Sequence, residues 1–162
     1  MGPSSFGVTG SADFRVTRYL TVGGGVIALI DDVRRFGSGT LEMNLVAARA
    51  PACFSFRSPD QSLGGSLCGY PAIGSMIATG RGFDRNQTAS QPWFALGAGA
   101  GADASIIGPL GLATRLDLLV PLVRPSFIVQ DLGSAAPGKS GTAYHAPPVG
   151  VGLGIGVRAL IP

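Results

Sequence analysis

One histidine, two cysteines and a thin scatter of charged side chains are all that this chain offers for chemistry. His145 stands beside Tyr144 and two prolines, with Ser140 shortly before it. A lipid hydrolase built on that pair would need a base, a nucleophile and an orienting carboxylate within hydrogen-bond reach. The stretch from Pro125 to Pro148 reads as a polar loop, so a solvent-facing histidine is the better account and no catalytic residue is expected. Cys53 and Cys68 form no Cys-x-x-Cys pair, which argues against zinc, and no metal or other cofactor is expected. They flank a hairpin link and suit a disulfide in an oxidising compartment, the alternative being two free buried thiols. Such a bond closes a loop of about 15 residues and contributes roughly 3 kcal/mol in the chain-entropy model. Gly23-Gly24-Gly25 lacks the lysine and following helix of a phosphate loop. Thin packing on an inner face explains it better.

The charged residues are more informative for where they fall. Asp13, Arg15, Glu42, Asp103, Arg115, Asp117 and Arg158 each sit opposite an apolar row in a segment of period two, the mark of a strand with unlike faces. Val149, Val151, Leu153, Ile155 and Val157 alternate with four glycines and Arg158. Phe6, Val8, Ala12, Phe14 and Val16 oppose Thr9, Ser11, Asp13 and Arg15. Leu41, Met43, Leu45 and Ala47 oppose Glu42 and Asn44. Phe94, Leu96 and the alanines 98 to 104 oppose glycines, Asp103 and Ser105. Leu112, Leu116, Leu118, Val120 and Leu122 oppose Arg115 and Asp117. Two Gly-rich stretches, Leu20 to Ile30 and Leu67 to Gly80, bring the count to seven strands.

Composition decides which way these faces point. Only 13% of the 162 residues are charged and 46% are hydrophobic, where typical soluble domains carry about 25% charge. No run of roughly 20 apolar residues exists to make a spanning helix. In lipid the remaining solution is a closed sheet, because lipid satisfies no backbone hydrogen bond. The expected fold is therefore all-β, an antiparallel up-and-down transmembrane β-barrel forming one domain over residues 1–162. Val151, Leu153, Ile155, Leu116 and Leu118 should lie on its outer belt, and the seven charged residues should form a network in the lumen. Trp93, Tyr19 and Phe127 stand near strand ends, where interfacial aromatics belong. A soluble secreted β-sandwich is the rival, with the apolar faces packed together.

The links alternate as a bacterial barrel requires, short periplasmic turns against long outer loops. Thr17-Arg18-Tyr19, the Arg57 to Gly65 link and Gly108-Pro109-Leu110 are the turns. Asp31 to Gly39, Gly82 to Gln91 and Pro125 to Pro148 are the loops. Since such barrels have an even number of strands, about eight are expected, with the first missing from this chain. Met1-Gly2-Pro3-Ser4 also lacks the basic start and apolar core of a signal peptide, so an N-terminal truncation is expected.

Several short stretches, in this order, resemble a group of uncharacterised outer-membrane β-barrel proteins abundant in myxobacteria. They are Pro51-Ala52-Cys53 with Leu67-Cys68-Gly69, then Gln91-Pro92-Trp93-Phe94-Ala95-Leu96-Gly97-Ala98. Gly108-Pro109-Leu110, Val120-Pro121-Leu122-Val123-Arg124 with Phe127, and Pro147-Pro148-Val149-Gly150 through Arg158 follow. The resemblance spans roughly residues 40 to 162 and implies the fold and no reaction. The ending Leu160-Ile161-Pro162 departs from the aromatic terminus usual in barrels.

The expected location is the outer membrane of a Gram-negative bacterium, with lipid and the barrel assembly machinery as partners and an unidentified ligand for the loops. A net charge of +3 from 12 basic and 9 acidic residues, scattered rather than striped, gives no footprint for nucleic acid. A structural or surface-interaction protein with a lumen plugged by side chains is expected, since eight strands enclose an interior just wide enough for side chains. A small pore for ions or solutes and a lipid-modifying hydrolase are the alternatives.

Overall fold

In the computed structural model, residues 6–30, 34–36, 39–60, 62–82, 87–107, 110–129 and 141–159 are described, the side chains of 34–36, 128–129, 141–145 and 158–159 excepted. The strands are β1 (Phe6–Arg15), β2 (Leu20–Ile30), β3 (Arg34–Phe36), β4 (Gly39–Arg49), β5 (Ala52–Arg57), β6 (Leu63–Arg81), β7 (Thr88–Ile107), β8 (Leu110–Val123), β9 (Ser126–Val129), β10 (Gly141–His145) and β11 (Gly150–Ala159). Every pairing among them is antiparallel. The chain is thus all-β, and each of the seven expected segments is a strand. Among the described residues no helix is long and apolar enough to cross a membrane.

Strands β4 and β5 are one long strand in all but name. Both pair with β2 on one side and β6 on the other in unbroken register across Ala50 and Pro51. At the join, Gly23 donates its N–H to the Pro51 carbonyl (2.9 Å), and Ala50 donates to that of Pro71 (3.2 Å). The main sheet is then a meander, β1, β2, β4/β5, β6, β7, β8, β11, with β3 folded back on β4 and a separate β9–β10 hairpin. Strand β1 pairs with β2 alone and β11 with β8 alone, leaving two free edges among the described residues.

The hydrogen-bonding row through Phe14 continues to Val22, Ala52, Gly69, Ala98, Leu118 and Val151. It starts next to the end of β1 and arrives next to the start of β11, although the two strands run the same way. A stagger accumulating in one direction is what tilts strands around a curling sheet. Curvature is also visible in side-chain reach. Arg49 Nη1 of β4 comes within 3.9 Å of Asp117 in β8, although three strand steps would separate their backbones by about 14 Å in a flat sheet.

Short turns gather at one end. Thr17 Oγ1 accepts from the N–H of Tyr19 (3.3 Å) and of Leu20 (3.0 Å), closing the β1–β2 turn, a local hydroxyl role that favours turns. The β5–β6 turn is held by Asp60, which accepts from the hydroxyls of Ser58 and Ser62. The opposite end differs from expectation. Residues 88–91 belong to β7, so the link after β6 spans only 82–87, entered through Gly82 at a φ of 76°, which glycine adopts without cost. The expected 125–148 loop carries the β9–β10 hairpin, because Phe127 and Ala146 have an apolar interior to fill.

The two faces then reverse their chemistry along the strands. In the half with the short turns, Leu63, Leu67, Ile73, Leu112, Leu116 and Leu118 are exposed on the convex face, as are Val151 (73%), Leu153 (78%) and Ile155 (76%). This is the outward row expected from the alternation. In the half toward the loops, Leu41, Met43, Leu45, Ala47, Met76, Trp93 and Phe127 are buried on the concave face, Met43 to 1% exposure. Thr40, Glu42, Asn44 and Thr79 face the other way there. The row Leu41 to Ala47 is therefore turned inward, against expectation. Trp93 and Phe127 are core residues rather than interfacial ones. Tyr19 alone of the three aromatics stands exposed at a strand end.

Candidate functional site

Among the described residues, the concave face of the short-turn half holds the densest polar chemistry. Its centre is Asp117 on β8. The Arg115 Nε donates to both of its carboxylate oxygens at 2.9 and 3.0 Å, and the Tyr70 hydroxyl donates to Oδ1 at 2.8 Å. Arg49 completes the group at 3.9 Å. Both guanidinium carbons stack on the Tyr70 ring, 5.6 Å from its centroid for Arg49 and 5.5 Å for Arg115, an attraction that strengthens with desolvation. A second pair, Arg57 and Asp103, meets at 3.1 Å nearer the turns.

Glycines make the room. A Cβ on Gly99 would run into the Asp117 carboxylate, and one on Gly97 into the Tyr70 ring. Gly25 lies beside the Arg49 Nε, which would stand 3.2 Å from an added Cβ. Gly97 and Gly99 of β7 therefore make room for the Tyr70 ring and the Asp117 carboxylate. Between the two ion pairs, on the same face, Cys53 and Cys68 stand directly opposite each other and are joined in a disulfide. Arg49 is buried, its side chain 4% exposed, and its Nε has no hydrogen-bond partner; neither has Arg115 Nη2. One carboxylate thus serves two arginines at this centre.

Of the charged residues named from sequence, Asp103, Arg115 and Asp117 are brought into these clusters. Asp13 and Arg15 lie on the same face of β1 but stay apart from them. Asp13 abuts the Gly23 position, and Arg15 lines a cavity at the turns. Glu42 is corrected. It points to the convex face, where it meets exposed Arg81 at 3.6 Å, because its strand buries the Leu41 row instead. The side chains of Arg158 and His145, and all of Ser140, lie outside the described residues.

Arg49, Arg57 and Tyr70 were missed. A signal for Arg49 existed, since it shares parity with Leu41, Met43, Leu45 and Ala47 and so places a charge at the end of an apolar row. Arg57 likewise shares parity with Cys53. Among the described residues no three of His, Cys, Asp and Glu come together as a metal set would require. The cluster's evident capacity is to hold charge in place and fill space. No known family model, curated protein or solved structure matches the chain, so its function is argued from the sheet itself.

Proposed function

We propose that this chain is a small outer-membrane β-barrel of a Gram-negative bacterium, with a plugged lumen and a structural or surface-interaction role. The observation that carries the reading is the polarity of the short-turn half. Large apolar side chains cover the convex face from Leu63 to Ile155, while Arg49, Tyr70, Arg115 and Asp117 fill the concave one. Water would invert that arrangement, and lipid requires it. The convex apolar band runs over residues 46–56 on β4/β5 and 63–73 on β6, close to the roughly 9–11 residues with which a tilted strand crosses a bilayer.

Closure follows from the edges. An unpaired strand edge within lipid costs several kcal/mol for each unsatisfied group. Since β1 and β11 run the same way, one further strand between them would be antiparallel to both. Such a strand would complete an even-numbered barrel. A sandwich would need a second sheet over Val151, Leu153 and Ile155, and these are exposed. On the residues quoted above we place the chain with the myxobacterial-type barrels, and lipid and the barrel assembly machinery are its partners. The loop end, which continues beyond the apolar band as a polar-faced extension around Met43 and Trp93, is the surface for a ligand.

A pore is disfavoured because large side chains occupy the concave face at both levels, Met43, Met76 and Trp93 at one and the ion pairs at the other. Planar-bilayer recording of the reconstituted full-length gene product tests this. Silent membranes are expected, and regular unit conductance steps would replace the plugged reading with a channel.

A further inference from the structure

The two neighbouring short turns border an open cavity of about 440 Å³, apart from the Arg49–Tyr70–Arg115–Asp117 cluster. It is lined by Arg15, Arg18 and Arg57, by Tyr19 and Phe56, and by Ser58. Arg57 is engaged by Asp103 at 3.1 Å, whereas Arg15 and Arg18 are exposed and make no ion pair among the described residues. The nearby Asp60 carboxylate is occupied by the hydroxyls of Ser58 and Ser62. Three guanidinium groups against the two carboxylates of Asp103 and Asp60 leave a net positive charge around the cavity.

Its walls have two characters. Arg15 and Arg57 come from the concave face, and Phe56 comes from the convex one. On that convex side Tyr19 stacks on Phe54 with centroids 5.7 Å apart, and Arg18 lies over the Tyr19 ring at 4.7 Å. Phe54, Phe56 and Leu20 are all exposed there. A cationic pocket thus opens directly onto the lower rim of the apolar band, where a phosphate with hydrocarbon attached would place each part in a matching setting. Arginine forks suit phosphate oxygens.

We propose that this cleft binds the phosphodiester of a glycerophospholipid in the leaflet at the short-turn end, with Arg15 and Arg18 on the phosphate and the acyl chains along Phe54 and Phe56. The inference rests on the membrane-barrel reading. The test uses the full-length protein folded in zwitterionic detergent, stripped of lipid and titrated in native mass spectrometry. Phosphatidylglycerol, diacylglycerol and inorganic phosphate are the three probes. One phosphatidylglycerol per chain is expected, at least about tenfold tighter than diacylglycerol, and R15Q/R18Q should remove that preference. Arg81→Gln, at the other end of the sheet, should keep it.

Equal binding of the two lipids, or an unchanged preference in R15Q/R18Q, overturns the proposal. Inorganic phosphate binding as tightly as the lipid would overturn the lipid assignment too. Heat-modifiable migration of the same samples separates the two readings. Folded protein without the preference fails only this inference, and protein that never shows the shift fails the barrel itself.

Discussion

Strand β6 passes through two environments without a change of register. From Leu63 to Ile73 its convex residues are apolar and exposed, and its concave residues are Ser66, the disulfide-bonded Cys68 and Tyr70. Beyond Ile73 the concave side carries Met76 and Ala78, both buried, and the convex side carries Ser75, Ile77, Thr79 and Arg81. The backbone faces do not switch; what they face does. On the proposed reading, the short-turn half meets a solvent less polar than its interior. The loop half follows the ordinary rule of apolar inside and polar outside. One sheet can satisfy both because alternation fixes only that the two faces differ.

The largest way to break this contrast is to remove the one carboxylate at the polar centre. Asp117→Ala leaves Arg49 and Arg115 without their shared counter-charge and should destabilise by about 3–5 kcal/mol. Glu42→Ala, on the exposed convex pair of the loop half, should cost no more than about 1 kcal/mol. Urea unfolding of both variants in lipid vesicles checks the difference, and equal losses would mean that the interior cluster is as solvated as the surface pair.

In the loop half, Met43→Ala opens a cavity in a packed apolar core and should cost about 2–5 kcal/mol in the same assay. Convex positions sharpen the boundary between the halves. Leu116→Arg should cost about 2–4 kcal/mol in a bilayer, whereas Thr79→Leu should be near neutral. A harmless Leu116→Arg would remove lipid from the convex face.

Reducing the Cys53–Cys68 bond should lower stability by roughly 3 kcal/mol without altering the meander, read as an earlier urea midpoint with an unchanged far-ultraviolet spectrum. The smallest effect concerns the β5–β6 turn, outside the apolar band. Hydrogen bonds from the Ser58 and Ser62 side chains hold the Asp60 carboxyl below the usual carboxylate range. Its contribution is therefore present above the ordinary carboxylate pKa and lost as pH falls through the depressed one. A carboxyl-carbon titration by NMR should place its midpoint below that of an unstructured aspartate, and a midpoint at or above it would deny the turn its hydrogen bonds.

Strand positions were legible because period two survives in the apolar rows, and β2 begins and ends at Leu20 and Ile30, a Gly-rich stretch placed by its position between the others. The sense of the Leu41 row was not legible. Alternation is symmetric between faces, and extending to this row the outward rule that holds for Leu116 and Val151 gave the wrong side for Glu42. Arg49, sharing that row, marks the level where its apolar run gives way to the charged interior. The extent of β6 was obscured by Gly64, Gly65, Gly69, Pro71 and Gly74, weak strand formers whose place is set by neighbours, as Ala47 backbone crowding the Gly74 position illustrates. Tyr70 was hidden for another reason. Its partners Arg49, Arg115 and Asp117 lie on other strands, and only the curl of the sheet brings them together.

The proposed contact of the convex face of the short-turn half with lipid has a decisive consequence for how the protein migrates. Electrophoretic migration of the full-length gene product, taken from the outer-membrane fraction with and without boiling, tests it most directly. A boiled sample that migrates differently from the unboiled one, in that fraction, is the predicted result. A soluble product with no heat-dependent shift would contradict the account.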